Sequence, residues 1–397
     1  MDNQLRLQRC GNIVDSELLY ARRELSPITK ILNWVAQCFV RKEEGESFAC
    51  ALSVTSDVAT IHVAKNTGAP TPDDLEHGDL FIGQMRSFIE RKSVHKSVNP
   101  KAEVVGFVRA TVETSWLRMR RKIELIGTSF KCGDKRQSSD ASFSQIDHLI
   151  TTWTYSSHTE TSTTITDHAK RISAGNTIRI MFHYMMCGCL TNADDYFRDK
   201  RFESLCEHFL HVVKTAQMLL DSDFLKAVLF DEKWRTNNSK NDIRFLLRLR
   251  RRLERVTVYS TGAKCFVDNS SRFFNKLRGS GKQVSIHLSW VNATLSQSQM
   301  HVHPEIALVH HLDALGVYAF ERAIGGSKLA CLACVVYLDQ VAEAVGLAHP
   351  SYRLNGTIEK ERHDWPLPTA LPLSVLLSEA VVQRAIKHTK CILQHMH

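Results

Sequence analysis

Apolar residues recur at helical spacing through much of the first part of the chain. Over residues 18–40 they fall three or four positions apart, with a break before Pro27, and residues 80–89 and 104–126 repeat the pattern. This spacing places the apolar side chains of a helix on one face, where they can be buried. We therefore predict a helical N-terminal region over residues 1–130.

Polar residues interrupt this pattern over residues 131–166, a stretch rich in Ser and Thr. A stretch with so few apolar positions lacks the pattern needed to build a core, which predicts a long loop or linker, although its threonines also suit strands. Helical spacing resumes at about Asp167, and we predict a second helical region over residues 167–255. Its core helices are predicted at 178–190, 202–220 and 223–230.

From about Val256 the pattern changes to the alternation that is typical of strands. Residues 264–268 and 283–295 carry it, and the glycine turn at 279–281 between them predicts a hairpin. The elements predicted beyond the hairpin are a helix at 304–315, a strand at 318–324, a helix at 328–346, a strand at 352–360 and a helix at 373–394. The order β-β-α-β-α-β-α predicts a three-layer α/β domain, a mixed sheet flanked by helices, over residues 256–397.

Composition narrows the function classes only a little. Of the 397 residues, 43% are hydrophobic and 23% are charged, which is typical of a globular protein. The net charge of +9 and the isoelectric point near 9.0 fit a polyanionic partner such as nucleic acid without requiring one.

The cysteines and the apolar stretches indicate a compartment. The eleven cysteines are odd in number and lack a regular spacing, and the first residues, MDNQLRLQRCGN, lack the apolar core of a signal peptide. We therefore expect reduced thiols in an intracellular protein, cytoplasmic or nuclear and not secreted. The most apolar stretches, 178–190 and 329–348, are interrupted by charged residues such as Arg179 and Asp339, so no membrane span is expected.

Two short motifs carry the candidate chemistry: His303-Pro304-Glu305 and Cys331-Leu332-Ala333-Cys334. One His and two Cys can hold a zinc ion with one coordination position left open, and an open position is typical of a catalytic site. Glu305 is too close to His303 in sequence to be a further ligand, and its carboxyl group can move protons. We predict His303, Cys331 and Cys334 as zinc ligands and Glu305 as the catalytic residue.

Helix-start signals accompany both motifs. Proline is favoured at the first helical position, so Pro304 predicts that a helix begins there, with His303 as the flanking residue and Glu305 in the first turn. Ser327 is a candidate N-cap for the next helix, which would place Cys331 and Cys334 on one face of its first turns. Helix N-termini favour thiolates, so two helix starts could meet over one metal ion.

Together, these motifs and their order resemble the cytidine deaminase-like superfamily, in which H-x-E and C-x-x-C each lie at a helix start. The resemblance is closer to a branch found mainly in fungi and some intracellular bacteria, whose members are described as predicted nucleic-acid or nucleotide deaminases. It covers roughly residues 256–395. The residues that match the second motif of this branch, and the W-P element that follows it, are Ile324, Gly325, Ser327, Lys328, Cys331, Cys334, Trp365 and Pro366.

The resemblance implies a zinc-dependent hydrolytic deaminase that acts on a nucleobase in nucleic acid or in a nucleotide. Zinc-bound hydroxide would attack the amidine carbon of the base, and Glu305 would carry the proton from the water to the departing ammonia. Superfamily members often place a substrate-contacting polar residue where this chain has Asn292, at the end of the predicted second strand. Asn292 is therefore either a substrate contact, as the resemblance implies, or an ordinary strand-end residue. The chain departs from the common pattern in having Pro304 between His and Glu, where a small residue is commoner.

Other interpretations of the same residues stay open. The zinc could be retained for structure alone in a catalytically inactive protein that serves as a binding scaffold. The motif His301-Val302-His303-Pro304 is also found in zinc isopeptidases, but these need a downstream Ser and Asp where this chain has His311 and Ala314. A thioredoxin-like role for Cys331 and Cys334 would leave His303 without a function.

Several further residues have both a structural and a functional interpretation. Cys187 and Cys189 are buried thiols or a redox pair, and His301, His310 and His311 are core or surface histidines or additional ligands. The arginine-rich helix predicted at 244–255 carries an apolar stripe on its other face. Its arginines form a solvated surface or contact phosphates.

Overall fold

The structure is a computed structural model. It describes residues 24–42, 45–55, 58–94, 98–129, 139–155, 165–191, 202–277, 285–291, 303–328, 330–344 and 357–358, together with residues 18, 352, 354, 383, 386 and 387. The chain divides into two compact units. The first consists of Met1–Glu24 and Met119–Thr257, and the second of Leu25–Arg118 and Val258–His397. None of the helices in the described ranges is long and apolar enough to cross a membrane.

The first unit is helical within the part of it that the structure describes. It contains α4, α5, α6, α7 and α8 and the adjoining parts of two long helices, α3 and α9, which continue into the second unit. The bounds are α3 Pro100–Ser129, α4 Ser139–Tyr155, α5 Ile165–Thr191, α6 Phe202–Asp221, α7 Asp223–Phe230, α8 Glu232–Thr236 and α9 Lys240–Leu277. Its core contains an aromatic cluster in which the Phe224 ring lies 5.8 Å from that of Trp153 and 6.0 Å from that of Trp234.

Two predictions fail along these helices. The stretch predicted as a linker contains α4, and Ile146, Leu149, Ile150 and Trp153 are buried at helical spacing along it. These few apolar residues form a complete stripe, which the surrounding Ser and Thr residues obscure. The strand predicted at 264–268 is wrong, because α9 continues to Leu277.

The second unit is built around a mixed four-stranded sheet. Its described elements, besides the adjoining parts of α3 and α9, are α1 Pro27–Cys38, β1 Phe48–Val54, β2 Val58–Lys65, α2 Pro72–Val94, β3 Ser285–Val291, α10 Pro304–Ala314, a 3-10 turn at Phe320–Arg322, β4 Ile324–Gly326, β5 Ala330–Cys331, α11 Leu332–Ala344 and β6 Thr357–Ile358. The strand order is β3-β2-β1-β4, and β5 pairs in parallel with β6. The predicted class, a mixed sheet flanked by helices, is confirmed.

The strand pairing differs from the prediction. Two of the four strands, β1 and β2, come from the region predicted to be helical, and they form an antiparallel hairpin. The predicted hairpin is wrong, because β3 pairs in parallel with β2, from Val58 opposite Ser285 to Ala64 opposite Val291. The sheet therefore pairs strands of residues 48–65 with strands of residues 285–326, which lie far apart in the sequence.

Helices cover both faces of this sheet. On one face, Phe48 and Trp290 pack against Phe39 at the end of α1, with ring centroids 6.0 and 5.3 Å from that of Phe39. On the other face, Ala49, Ala51, Ala64 and Val291 share a buried cluster with residues of α10 and α11. Alternate residues of a strand point to opposite faces, so strands covered on both faces are apolar nearly throughout. This is the case for β1, which is apolar except for Ser53, whereas β2 also contains Thr60, His62 and Lys65.

Candidate metal centre

His303 and Glu305 are positioned by the first turn of α10. The helix begins at Pro304, as predicted, and His303 is its N-cap residue, with φ −59° and ψ 135° and no capping hydrogen bond from its side chain. The extended backbone at His303 lets its ring turn away from the helix axis. Glu305, in the first turn, is buried with 7% of its surface exposed.

Cys331 and Cys334 come from a strand end and a helix start. Cys331 ends β5, and Cys334 lies in the first turn of α11, which begins at Leu332. The prediction that Ser327 caps this helix is wrong, because β5 lies between Ser327 and the helix. The backbone N–H of Cys334 donates a hydrogen bond to Sγ of Cys331 over 3.4 Å, which holds both sulfur atoms on the same side of the helix start.

The three predicted ligand side chains converge. Nδ1 of His303 lies 3.0 Å from Sγ of Cys334 and 3.3 Å from Sγ of Cys331, and the two sulfur atoms are 3.2 Å apart. Among the residues that the structure describes, these are the three His, Cys, Asp or Glu side chains that could hold a metal ion together, because their ligand atoms lie within 4.8 Å of one another. The structure thus brings together one nitrogen and two sulfur donors from two separate motifs.

This donor set fits zinc in both chemistry and spacing. Thiolate and imidazole are the ligands that zinc prefers, and in a tetrahedral site such ligand atoms lie about 3.5–3.8 Å apart. The three atoms would have to separate by only about half an ångström to accept the ion. A site with three protein ligands leaves a fourth position for solvent or substrate, which is typical of catalytic zinc.

The electrostatics favour the metal-binding form of the Cys331 thiol. The hydrogen bond between the Cys331 and Cys334 thiols, assisted by His303, lowers the pKa of Cys331 to about 4, although burial acts in the opposite direction. The thiolate is the form of cysteine that binds metals. The described cysteines Cys38, Cys50, Cys206, Cys265, Cys331 and Cys334 form no disulfides.

Glu305 lies beside this group in a desolvated position. Burial raises the pKa of its carboxyl group, while the charges of His303 and Lys328 lower it. A Cβ atom at Gly326 would lie 3.9 Å from Oε1 of Glu305, so the backbone of β4 forms a wall next to the carboxyl group. A carboxyl group whose pKa is raised above its ordinary value is better suited to both accept and donate a proton.

Other predicted residues have different surroundings. His310 is fully buried, and its Nε2 lies 2.8 Å from the hydroxyl group of Tyr337, so it joins α10 to α11 rather than the ligand group. His311 faces His62 of β2, with ring centroids 5.4 Å apart. The stripe predicted for the arginine-rich helix is present in α9, where Phe245, Leu249, Leu253 and Val256 are buried.

Some predictions fall outside the described residues. Asn292, His301, Trp365 and Pro366 lie there, and so do the side chains of Cys187 and Cys189. Sequence reasoning also overlooked two buried side chains on α1, Asn33 and Gln37, that contact the end of β4 and the residue after it. Their signal was two amides spaced by one turn in the part of the helix that is otherwise apolar, residues 31–38.

Comparisons with known proteins agree with this geometry. The model of the OTT_1508-like deaminase family matches residues 302–369, the segment that contains both motifs. No curated protein and no solved structure matches the chain. The matched segment is therefore similar to a deaminase family, in which hydrolytic deamination is the general activity.

Proposed function

We propose that this protein is a zinc-dependent hydrolytic deaminase that acts on a nucleobase, in nucleic acid or in a nucleotide. The observation that carries the proposal is the convergence of His303, Cys331 and Cys334 at 3.0–3.3 Å with the buried carboxyl group of Glu305 beside them. The match of residues 302–369 to a deaminase family supports the same conclusion.

Each part of the site has a defined task in this reaction. His303, Cys331 and Cys334 hold the zinc ion, which makes water acidic enough to act as a nucleophile near neutral pH. Glu305 accepts the proton of the attacking water and returns it to the amino group that leaves as ammonia. A zinc ion kept only for structure could use the same three ligands, but it would have no use for a buried carboxyl group beside them.

The substrate and the setting are part of the proposal. Deamination of cytosine or adenine requires a base with an exocyclic amino group, and the positive net charge of the chain favours a polyanionic form of that substrate. Thiol ligands that carry no disulfides fit a reducing compartment, which is why we propose an intracellular setting, the cytoplasm or the nucleus.

The test is ammonia release by the zinc-loaded protein from free nucleosides, nucleotides and single-stranded DNA and RNA oligonucleotides that contain cytosine or adenine. We expect Glu305→Gln to lower the rate by about 10²–10⁴-fold while the bound zinc is unchanged. Glu113→Gln, which removes an exposed carboxylate from α3, is the matched control and should keep wild-type activity.

Two outcomes would contradict the proposal. Equal rates for wild type and Glu305→Gln would remove the proton-transfer role of Glu305. A zinc-loaded wild type that releases no ammonia from any of these substrates would favour the alternative, a deaminase-like protein that keeps its zinc for structure and serves as a binding scaffold.

Activity on oligonucleotides alone, with binding that weakens steeply as salt rises, would identify a nucleic-acid substrate.

A further inference from the structure

Residues 325–328, which end β4 and lead toward β5 and are called the loop below, connect three parts of the candidate site. Gly326 forms the wall next to Glu305, the charge of Lys328 acts on the same carboxyl group, and Cys331 follows at the end of β5. Any displacement of this loop would therefore move a predicted zinc ligand and the surroundings of Glu305 together.

Two side chains of α1 hold this loop. Oδ1 of Asn33 accepts a hydrogen bond from the backbone N–H of Gly326 over 2.9 Å. Nε2 of Gln37, one helical turn later, donates a hydrogen bond to the backbone carbonyl of Ser327. Both side chains are buried, with 3% and 6% of their surfaces exposed.

These two amides are costly to bury. Every other residue from Ile28 to Cys38 except Thr29 and Lys30 is apolar, and an amide that loses its hydrogen-bond partner inside such a layer costs about 1–3 kcal/mol. Apolar residues at both positions would pack on the sheet without this penalty. The hydrogen bonds instead hold the loop backbone at two points, the N–H of Gly326 and the carbonyl of Ser327.

Two further contacts leave the loop little freedom. Ser327 makes two hydrogen bonds to Phe48 of β1, one from its own backbone N–H over 2.9 Å and one from the N–H of Phe48 to Oγ over 2.8 Å. A Cβ atom at Gly325 would lie 2.2 Å from the carbonyl carbon of Leu32, so α1 and β4 approach as closely as glycine allows. The loop is thus clamped by α1 on one side and by β1 on the other.

We propose that Asn33 and Gln37 are positioning residues, which act through the loop of residues 325–328 to set the geometry of Cys331 and the wall next to Glu305. The inference deepens the proposed function, on which it rests for the role of zinc. It assigns a task in the site to a helix that contains none of the predicted ligands.

The variants Asn33→Leu and Gln37→Met remove the hydrogen bonds and keep side chains of similar shape and length. Thr29→Val is the matched control, because Thr29 is equally buried on α1 but its hydroxyl group lies 3.0 Å from Oγ of Ser26, at the start of the helix, and not near the loop. All three variants should lower thermal stability, so a loss of stability alone does not distinguish them.

The first measurement is the zinc dissociation constant of the full chain, obtained by competition with a chelator. We expect Asn33→Leu and Gln37→Met each to weaken zinc binding by about tenfold or more, as is common when the support of a ligand is removed. The double variant should be little weaker than either single variant, because both act on one loop. Thr29→Val should bind zinc as wild type does, and wild-type affinity in Asn33→Leu and Gln37→Met would overturn the inference.

The second measurement does not depend on zinc. In the metal-free full chain, the rate of alkylation of Cys331, followed peptide by peptide with mass spectrometry, should rise at least tenfold in Asn33→Leu and Gln37→Met but not in Thr29→Val. If the alkylation rate of Cys331 is unchanged in all variants, the positioning role is contradicted, even if the protein binds zinc. Failure of the wild type to bind zinc, together with raised rates in the two variants, would contradict the proposed function and leave the positioning role standing.

Discussion

Two segments of the second unit contribute to the candidate site in different ways. The ligand segment, residues 303–344, contains His303, Glu305, Cys331 and Cys334, and it spans α10, β4, β5 and α11. The supporting segment, residues 27–65, contains none of these residues, yet its α1, β1 and β2 pack against β4 and α10 and hold the loop next to Glu305. The predicted ligands and Glu305 thus lie in the ligand segment, and their alignment depends on the supporting segment, which lies far away in sequence.

The largest effect should come from removing a predicted ligand. Cys334→Ala should weaken zinc binding by more than about a hundredfold, since it deletes one of three donors, a larger loss than that caused by removing a ligand's support. Zinc content by atomic absorption is the measurement. Cys50→Ala is the matched control, because Cys50 is a buried thiol of β1 whose pKa is raised by burial, so it remains a neutral core residue.

The difference between the two segments would be contradicted if both cysteine variants kept their zinc or if both lost it. Retention in Cys334→Ala would exclude this sulfur as a ligand. Loss in Cys50→Ala would mean that the supporting segment contributes to metal binding through its core rather than through the loop.

The next effect, on stability rather than on zinc binding, is expected where the two segments touch most closely. Gly325→Ala would drive a Cβ atom to 2.2 Å from the backbone of Leu32 and 2.5 Å from that of Asn33, and backbone atoms cannot move aside cheaply. We expect a loss of about 3 kcal/mol in the free energy of unfolding, measured by urea denaturation. Gly83→Ala on α2, where a Cβ atom meets nothing within 4 Å, should instead stabilise the protein by about 0.5–1 kcal/mol.

If Gly325→Ala were as harmless as Gly83→Ala, the close approach of α1 to β4 would be wrong. The zinc affinity of Gly325→Ala should fall together with its stability, because the strain displaces the loop before Cys331.

The smallest effect concerns pH. His62 of β2 lies 2.8 Å from Oγ of Ser53 and faces His311 of α10, and its burial, assisted by His311, lowers its pKa to about 4. A histidine with a lowered pKa stabilises the fold at pH values above its unfolded pKa of about 6.5, and this stabilisation is lost as the pH falls toward the folded value. We expect the free energy of unfolding to drop by about 2 kcal/mol between pH 7 and pH 5.

His62→Gln keeps a polar partner for Ser53 but does not titrate, so its stability should change much less over this range. Chemical denaturation at several pH values measures both proteins. Parallel curves for wild type and His62→Gln would show that the contact between β2 and α10 is not sensitive to protonation.

The two segments also differed in how far the sequence could predict them. In the ligand segment, Pro304 marks the start of α10 and the C-x-x-C spacing brings two thiols to one helix start, so local signals were sufficient for the helix and for the candidate group. The start of α11 was misplaced, because Ser327 looks like an N-cap although it bonds to β1 instead.

The supporting segment could not be recognised in the same way. Strand β1 is apolar except for Ser53, because helices cover both faces, so it lacks the alternation that distinguishes a strand from a buried helix. Strand β2 contains Thr60, His62 and Lys65 but does not alternate strictly along its length. Their partners β3 and β4 follow only after more than two hundred residues, and no local pattern encodes such a pairing. Asn33 and Gln37 stand out in the sequence as two amides one helical turn apart. Their contacts could not be predicted, because the loop that they hold comes near them only in the folded chain.

The most direct test of the central claim is X-ray absorption at the zinc edge of the purified, zinc-loaded full chain. Coordination by His303, Cys331 and Cys334 predicts two sulfur atoms at about 2.3 Å and two nitrogen or oxygen atoms at about 2.0–2.1 Å, the second of these from solvent. Cys334→Ala should lose one sulfur or the zinc itself. A shell of four sulfur atoms, a shell without sulfur, or a wild type that binds no zinc would contradict the account.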